Sequence, residues 1–245
     1  MNLLEVQGLR KTYPAFRLED VSFSVPEGAV MGLIGRNGAG KSTTLKSILG
    51  LVHPDAGRVE MFGREFSENE RYIKENIGVV LGGIDFYPKK KVRTITDVTR
   101  RFYSNWQEEK YRHYLDLFAI DENKRVDQLS SGMRVKYLLA LALSHNARLL
   151  TLDEPTSGLD PVSRDELTEL LRRIAADGTR SVLFSTHITS DLEKCASHIT
   201  FIQEGRLQRS DTLAGFMAHY ADLGSTLEEI IVAAERRPYD ADAII

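Results

Sequence analysis

Apolar residues alternate or cluster in short runs along the first part of the chain, and these runs predict β-strands. Residues 3–8 and 18–25 carry such runs. Residues 29–34 form a continuously apolar run, which is typical of a strand buried on both faces. A glycine-rich loop follows directly, and residues 41–50 have a helical pattern. The sequence therefore predicts a buried strand that leads through a glycine-rich loop into a helix.

The rest of the chain alternates between strand and helix patterns. Further strands are predicted at the apolar runs of residues 59–62, 77–81, 149–152 and 181–185. Helices are predicted at residues 165–176 and 190–196, and a hairpin joins residues 199–203 to 206–208. Strands that alternate with helices predict an α/β fold, here with a mainly parallel core sheet and an N-terminal antiparallel β portion.

A charged, aromatic-rich and helix-patterned segment interrupts this alternation at about residues 92–144. We expect an α-helical subdomain inserted into one domain of residues 1–210, followed by a short helical tail at residues 211–245. Trp106 lies among polar residues and is the candidate for a surface contact with a partner. The alternative is that the aromatic residues form the core of the subdomain.

Composition narrows the function classes. The 245 residues are 42% hydrophobic and 27% charged, which is ordinary for a globular protein. The formal charge of −3 argues against broad nucleic-acid binding, so no nucleic-acid partner is expected. Cys195 is the only cysteine, which excludes an intrachain disulfide and a multi-thiolate metal site. No apolar run reaches the ~18–20 residues of a membrane span, so we expect a cytoplasmic protein that reaches a membrane only through a partner.

The glycine-rich loop of residues 35–42, GRNGAGKS, fits the phosphate-loop pattern G-x-x-x-x-G-K-[ST]. Glycines allow backbone N–H groups to surround a phosphate, and the helix that follows adds its positive dipole end. Lys41 would reach the β- and γ-phosphates, and the Ser42 hydroxyl would ligate Mg²⁺. The alternative is a glycine-rich turn with a solvated lysine. The candidate nucleotide-binding residues here are Gly35, Asn37, Gly38, Gly40, Lys41, Ser42 and Thr43.

An acidic pair, Asp153 and Glu154, directly follows the buried strand predicted at residues 149–152. A phosphate loop needs such a carboxylate to hold its metal, and Asp153 is the candidate Mg²⁺ ligand. Glu154 would polarise an attacking water or accept its proton, which makes it the candidate catalytic residue. Solvated acids at a strand end are the alternative.

Further segments follow one another in the order known from a single protein family. Residues 129–133, LSSGM, are similar to the signature Leu-Ser-Gly-Gly-Gln, and residues 157–160, SGLD, are similar to a D-loop. His187 follows an apolar run, as a switch histidine does, and Tyr13 follows an early strand. Over about residues 3–207 the chain resembles the ATP-binding subunits of ATP-binding cassette (ABC) transporters, particularly those of bacterial ABC-2-type exporters.

The resemblance implies a P-loop NTPase fold, binding of ATP and Mg²⁺, and ATP hydrolysis that powers transport. His187 would be catalytic through a hydrogen bond to the γ-phosphate, and Tyr13 would stack on adenine. A surface histidine and a tyrosine packed at a strand end are the simpler alternatives.

The resemblance also implies protein partners. Ser130, Ser131 and Gly132 would meet the γ-phosphate held by a second ABC subunit, in a homodimer or heterodimer that sandwiches two ATP molecules. Asp160 would belong to the D-loop of that interface. An integral membrane permease would hold the subunit at the inner face of the membrane and select the cargo. Alone, the segment around Ser130 has the pattern of an ordinary helix N-cap.

The sequence departs from the family pattern at three places. Ser131 stands where glycine is usual, and Met133 stands where glutamine is usual. At the position of the Q-loop glutamine the chain has Gly82, which cannot bind Mg²⁺, and Asp85 is the candidate to replace it.

Two other functions of the same superfamily are weighed against transport. A soluble ABC-type ATPase acting in DNA repair would carry long coiled coils, and one acting on ribosomes usually joins two cassettes; the sequence has neither feature. A regulatory module that does not hydrolyse ATP would need a disabled Glu154 or phosphate loop, and both are intact. The sequence therefore favours the transporter ATPase.

Overall fold

The strands of the computed structural model, which describes residues 1–81 and 87–236, form one sheet of ten strands with the order β5-β4-β1-β2-β10-β9-β3-β8-β7-β6. The strands are β1 Asn2–Tyr13, β2 Phe16–Pro26, β3 Val30–Ile34, β4 Ala56–Met61, β5 Arg64–Glu65, β6 Ile77–Leu81, β7 Leu149–Asp153, β8 Ser181–Thr186, β9 His198–Gln203 and β10 Arg206–Thr212. The α-helices are α1 Lys41–Ile48, α2 Phe66–Asn76, α3 Val92–Thr99, α4 Glu108–Leu117, α5 Ser131–Ser144, α6 Pro161–Ala175, α7 Thr189–Cys195, α8 Leu213–His219 and α9 Leu227–Glu235.

The sheet has a parallel part and an antiparallel part. Strands β9, β3, β8, β7 and β6 are parallel neighbours, whereas β5, β4, β1 and β2 pair antiparallel. Strand β10 joins the two parts, because it pairs antiparallel with β9 and parallel with β2. The predicted fold class, a mainly parallel core sheet with an N-terminal antiparallel portion, is confirmed.

The central strands are buried on both faces. Every residue of β3, β7 and β8 is buried, which explains the apolar runs at their centres. Successive side chains of β3 enter opposite hydrophobic clusters: Val30 and Ile34 join one, and Met31 and Leu33 join the other. Because the strands are parallel, their carboxyl ends meet at one edge of the sheet, where the phosphate loop begins.

The inserted segment has a small hydrophobic core of its own. Helices α3, α4 and α5 surround a cluster that includes Tyr111 and Tyr137, whose hydroxyls both meet the hydroxyl of Thr96, at 2.7 and 2.9 Å. Trp106 packs against this cluster, and its indole N–H donates to Glu108 at 3.0 Å. The structure thus favours the core alternative for Trp106 over the predicted surface contact.

The C-terminal helices α8 and α9 pack on the main hydrophobic core of the sheet. Phe216 of α8 and Leu227 and Ile230 of α9 are fully buried in the cluster that also contains residues of β9 and α7. One apolar core thus contains residues from both sides of residue 210, and the predicted domain boundary there stays a prediction.

Helix α2 was not predicted from the sequence. Ile73 is the only buried residue of α2, so the sequence of this segment has too few apolar residues to predict a helix. Among residues 1–81 and 87–236, no helix combines the length and apolar character needed to cross a membrane.

Candidate functional site

The phosphate loop turns tightly between β3 and α1. Gly40 has a φ of +113°, and a Cβ atom there would lie 2.9 Å from the Phe16 ring. Gly35 has a φ of +157°, and a Cβ atom there would lie 2.1 Å from the carbonyl oxygen of Ile202. Both positions require glycine because backbone conformation and neighbouring atoms exclude a side chain. Asn37 and Gly38 form the exposed crest of this loop, and Thr43 stands in the first turn of α1.

The amine of Lys41 is held inside the loop. Its side chain is only 5% exposed, and Nζ donates to the carbonyl oxygens of Gly35 at 2.7 Å and Arg36 at 3.3 Å. Nζ also forms an ion pair with Glu154 Oε1 at 3.3 Å. The buried positive charge is therefore compensated by two carbonyl dipoles and one carboxylate, as a buried ammonium requires.

The end of β7 brings Asp153 against the start of α1. Asp153 Oδ1 accepts hydrogen bonds from the hydroxyls of Ser42, at 3.0 Å, and Ser185, at 2.6 Å. Strand pairing sets this contact, because Asp153 and Ser185 are register partners in parallel strands. The sequence analysis missed Ser185. The feature that could have indicated it is a polar residue directly after the apolar residues of β8.

Glu154, the second residue of the acidic pair, contacts His187. Its backbone N–H donates to Ser185 Oγ at 2.9 Å, and its φ is +48°, an unusual conformation for a residue with a side chain. Glu154 Oε2 lies 2.8 Å from His187 Nδ1. Because an ionised carboxylate only accepts hydrogen bonds, Nδ1 is the donor of this pair. The turn thus aims the carboxylate between Lys41 and His187.

The oxygens of Ser42 and Asp153 are suited to Mg²⁺. This ion prefers hard oxygen ligands, and it is commonly bound by one or two protein groups together with substrate phosphates. Within the described ranges there is no group of three or more His, Cys, Asp or Glu residues that could hold a metal, and a site completed by phosphates does not need one. Gly82 and Asp85 lie outside the described residues.

The signature segment lies at the start of α5, outside the hydrogen-bonded cluster around Glu154. Ser130 caps the helix by accepting from the Met133 N–H at 3.2 Å, and Ser130 and Ser131 are exposed. Gly132 is buried, and a Cβ atom there would lie 3.4 Å from the side chain of Ser163 on α6. Met133 packs against the core of the helical subdomain, which accounts for an apolar residue at this position.

Asp160 caps helix α6 within its own chain. Its carboxylate accepts from the N–H groups of Val162 at 3.0 Å and Ser163 at 3.1 Å, and from the Ser163 hydroxyl at 2.6 Å. The Ser163 hydroxyl, followed by the backbone donors, holds the pKa of Asp160 below its usual value. Pro161 occupies the first position of the helix, as is common after such a cap.

Tyr13 lies on the same face of the β1–β2 hairpin as the phosphate loop. It is the direct register partner of Phe16, and directly opposed residues of antiparallel strands project to the same face. The Phe16 ring lies against Gly40, whereas Tyr13 is 37% exposed. This placement supports adenine stacking by Tyr13, which stays a prediction.

The sequence analysis missed a second residue at this site, Glu235 at the end of α9. Glu235 is buried, and its carboxylate accepts from the backbone N–H of Arg36 at 3.1 Å. Burial raises the pKa of Glu235. Glu235 and Ile231 line a hollow that they share with Arg36, Asn37 and His187.

Comparisons with known proteins place this chain among relatives of one family. The family model described as ABC transporter matches residues 18–157. The bacitracin transport ATP-binding protein BcrA of Bacillus licheniformis is 32% identical over 208 residues, which are 84% of this chain and 68% of that protein. The Nod factor export ATP-binding protein I of Burkholderia orbicola is 39% identical over 191 residues, 76% of this chain. This chain spans 62% of the length of that second relative.

Solved structures share the fold. An ATP-binding subunit of an ABC transporter superposes with a TM-score of 0.85 at 28% identity, covering 96% of this chain and 100% of that one. A dimeric ATP-binding cassette in a post-hydrolysis state, bound to ADP and Pi, superposes with a TM-score of 0.75 at 21% identity, covering 86% and 98%. The second likeness concerns the fold alone.

Proposed function

The chain belongs to the ABC transporter family, whose ATP-binding subunits are ATPases, and we propose that it binds and hydrolyses ATP to power an exporter. The relatives named for bacitracin transport and for Nod factor export support an export system. The soluble alternative in DNA repair or on ribosomes is not favoured by these relatives. The cargo would depend on the membrane partner.

The observation that carries the proposal is the position of the Glu154 carboxylate. One oxygen lies 3.3 Å from Lys41 Nζ, and the other accepts from His187 at 2.8 Å. When ATP binds, its phosphates would attract Lys41 and His187, and the released carboxylate could then face a water molecule. A carboxylate in that position can accept the proton of the attacking water.

The neighbouring residues would complete the catalytic site. Backbone N–H groups of the phosphate loop and Lys41 would bind the β- and γ-phosphates. Ser42 and Asp153 would hold Mg²⁺, which when bound neutralises charge that develops on the phosphates. His187 would orient the γ-phosphate by a hydrogen bond, and Tyr13 would stack on the adenine ring.

A second ABC subunit would complete each ATP site. Ser130 and Ser131 are exposed at the N-terminus of the 14-residue helix α5, where backbone N–H groups favour an anion. That placement supports contact with the γ-phosphate held by the other subunit. Asp160, which organises the start of α6, would support the same interface.

A membrane permease is the proposed second partner and would hold the protein at the inner face of the membrane. Val98, in the last turn of α3, is 54% exposed, and Phe102, at the end of the 3-10 helix Arg100–Phe102 that follows, is 73% exposed. Exposed apolar side chains that lie close together are typical of protein contacts. These residues replace Trp106 as the candidates for contact with the permease.

Substitution of Glu154 by glutamine tests the catalytic proposal. We expect Glu154→Gln to lower ATP turnover by about 100-fold or more, because loss of a general base typically costs 10²–10⁴ in rate. ATP binding should persist, and ATP should then stabilise a dimer measured by light scattering. Glu228→Gln is the matched control, since Glu228 is an exposed acid on α9. Unchanged turnover of Glu154→Gln would remove Glu154 as the base.

A further inference from the structure

The last residue of helix α9 lies against the beginning of the phosphate loop. Glu235 Oε1 accepts from the backbone N–H of Arg36 at 3.1 Å, and Oε2 lies 3.8 Å from Arg36 Nε. The Glu235 side chain is 7% exposed, whereas that of Arg36 is 62% exposed. A buried carboxylate is costly unless it accepts hydrogen bonds, so the backbone N–H is its principal compensation.

Helix α9 holds this carboxylate on a rigid support. Leu227 and Ile230 are fully buried in the main core, and Thr226 caps the helix by accepting from the Glu229 N–H at 3.2 Å. At the other end, Gln203 Nε2 donates to the carbonyl oxygen of Ala234 at 3.1 Å. The residue before Glu235 is therefore fixed to strand β9, which runs beside the strand that leads into the phosphate loop.

A single peptide group links Glu235 to Lys41. The N–H of Arg36 and the C=O of Gly35 belong to the same peptide plane. The N–H donates to the Glu235 carboxylate, and the C=O accepts from Lys41 Nζ at 2.7 Å. A negative group at one end and a positive group at the other polarise this peptide in the same sense, and each hydrogen bond strengthens the other.

We propose that Glu235 is a positioning residue for ATP binding, which acts through the Gly35–Arg36 peptide to orient Lys41 for the phosphates. This inference rests on the proposed function. The end of the loop is held separately, because the Gly205 N–H donates to the carbonyl oxygen of Ala39 at 2.9 Å. Glu235 is thus the support for the start of the loop, where the Lys41 amine is anchored.

The proposal assigns the effect to the hydrogen-bond acceptor at residue 235. A glutamine carbonyl oxygen can accept from the Arg36 N–H in the same place, whereas alanine leaves that N–H without this partner. We therefore expect Glu235→Ala to weaken ATP binding by about tenfold, the effect of losing one hydrogen bond. The KM for ATP should rise by a similar factor with kcat changed less than about twofold, and Glu235→Gln should recover most of the affinity.

The test uses the full chain and measures ATP affinity by calorimetry, KM and kcat for ATP hydrolysis, and hydrogen exchange of the peptide that contains Arg36. Glu228→Ala is the matched control, because it removes an exposed acid from the same helix. Faster exchange in Glu235→Ala alone, together with the change in KM, supports the proposal. Wild-type affinity in Glu235→Ala overturns it, as does equal weakening in Glu235→Gln. Tighter ATP binding in both variants also overturns it, since the carboxylate would then obstruct the nucleotide.

Failure of the proposed function gives a different result. If the wild-type chain and Lys41→Ala bind ATP equally poorly, the ATPase assignment fails. The exchange measurement on nucleotide-free protein still tests the Glu235 contact in that case. Thermal unfolding of each variant shows whether Glu235→Ala has merely loosened α9, because a general loss of packing would lower kcat as well and would not be recovered by glutamine.

Discussion

Ser185 forms hydrogen bonds with both members of the acidic pair, Asp153 and Glu154, and its substitution tests how much these bonds contribute to stability and turnover. Its fully buried hydroxyl donates to Asp153 Oδ1 at 2.6 Å and accepts from the Glu154 N–H at 2.9 Å. Ser185→Ala deletes one oxygen and leaves both partners in place. It also frees the backbone turn that holds Glu154 at a φ of +48°.

The expected cost follows from these two hydrogen bonds. A hydrogen bond to a charged group contributes about 1.5–3 kcal/mol, and a buried N–H left without a partner costs about 1–3 kcal/mol. Allowing for partial relaxation of the site, we expect Ser185→Ala to lower the free energy of unfolding by about 3 kcal/mol. For a chain of this size, that corresponds to a fall in Tm of roughly 6–12 °C. ATP turnover should fall at least about tenfold, because Glu154 loses its fixed orientation.

Urea unfolding, thermal unfolding and ATP turnover measure these effects, and Ser181→Ala is the control. Ser181 is also fully buried, at the opposite end of the same strand, and its hydroxyl donates to the carbonyl oxygen of Pro26 at 2.8 Å. Loss of that neutral hydrogen bond should cost about 1 kcal/mol and leave turnover unchanged. Equal stability and equal turnover in the two variants would refute the reasoning. The hydrogen bonds of Ser185 to Asp153 and Glu154 would then contribute no more to stability than the neutral bond of Ser181.

Three further predictions concern other parts of the molecule. Lys41→Ala should abolish measurable ATP binding in calorimetry, and wild-type affinity would contradict its role in the phosphate loop. Tyr13→Ala should weaken ATP binding by about five- to tenfold, from loss of ring stacking worth about 1 kcal/mol, while Tyr13→Phe should retain it. Burial lowers the pKa of His145 from 6.5 to about 4. The unfolded chain therefore binds a proton between pH 6.5 and 4 that the folded chain does not. The free energy of unfolding should thus fall as the pH is lowered from 6.5 to 4, by at most about 3 kcal/mol. Urea unfolding of His145→Gln should show a shallower dependence on pH, and an unchanged slope would contradict this.

Local sequence was sufficient for much of the fold. The strand predicted at residues 77–81 is β6 itself, and the buried runs at residues 149–152 and 181–185 differ from β7 and β8 by one residue. These elements were predictable because strands buried on both faces carry short continuous apolar runs, such as residues 182–184 of β8. Helix α2 was missed for the opposite reason, because most of its residues are polar or charged and Ile73 alone is buried.

Trp106 shows where composition misled the prediction. Its sequence neighbours are polar, but its ring lies 5.3 Å from that of Tyr111 and packs against the subdomain core. Polar neighbours in sequence do not determine burial when the chain is irregular, because successive side chains then point in directions that have no fixed period. Phe102, four residues earlier, is the exposed aromatic instead.

The sequence by itself determined the chemistry carried by contiguous motifs. A phosphate loop is specified within a few residues, since its glycines, lysine and serine act through one local backbone conformation, and the acidic pair follows one strand. Only the tertiary structure decided which distant groups support those motifs. Ser185 reaches Asp153 across 32 residues of sequence, and Glu235 reaches Arg36 across 199. Such contacts depend on strand register and on the docking of α9, which arise from packing of the whole core, so no local pattern in the sequence identifies the partner residue.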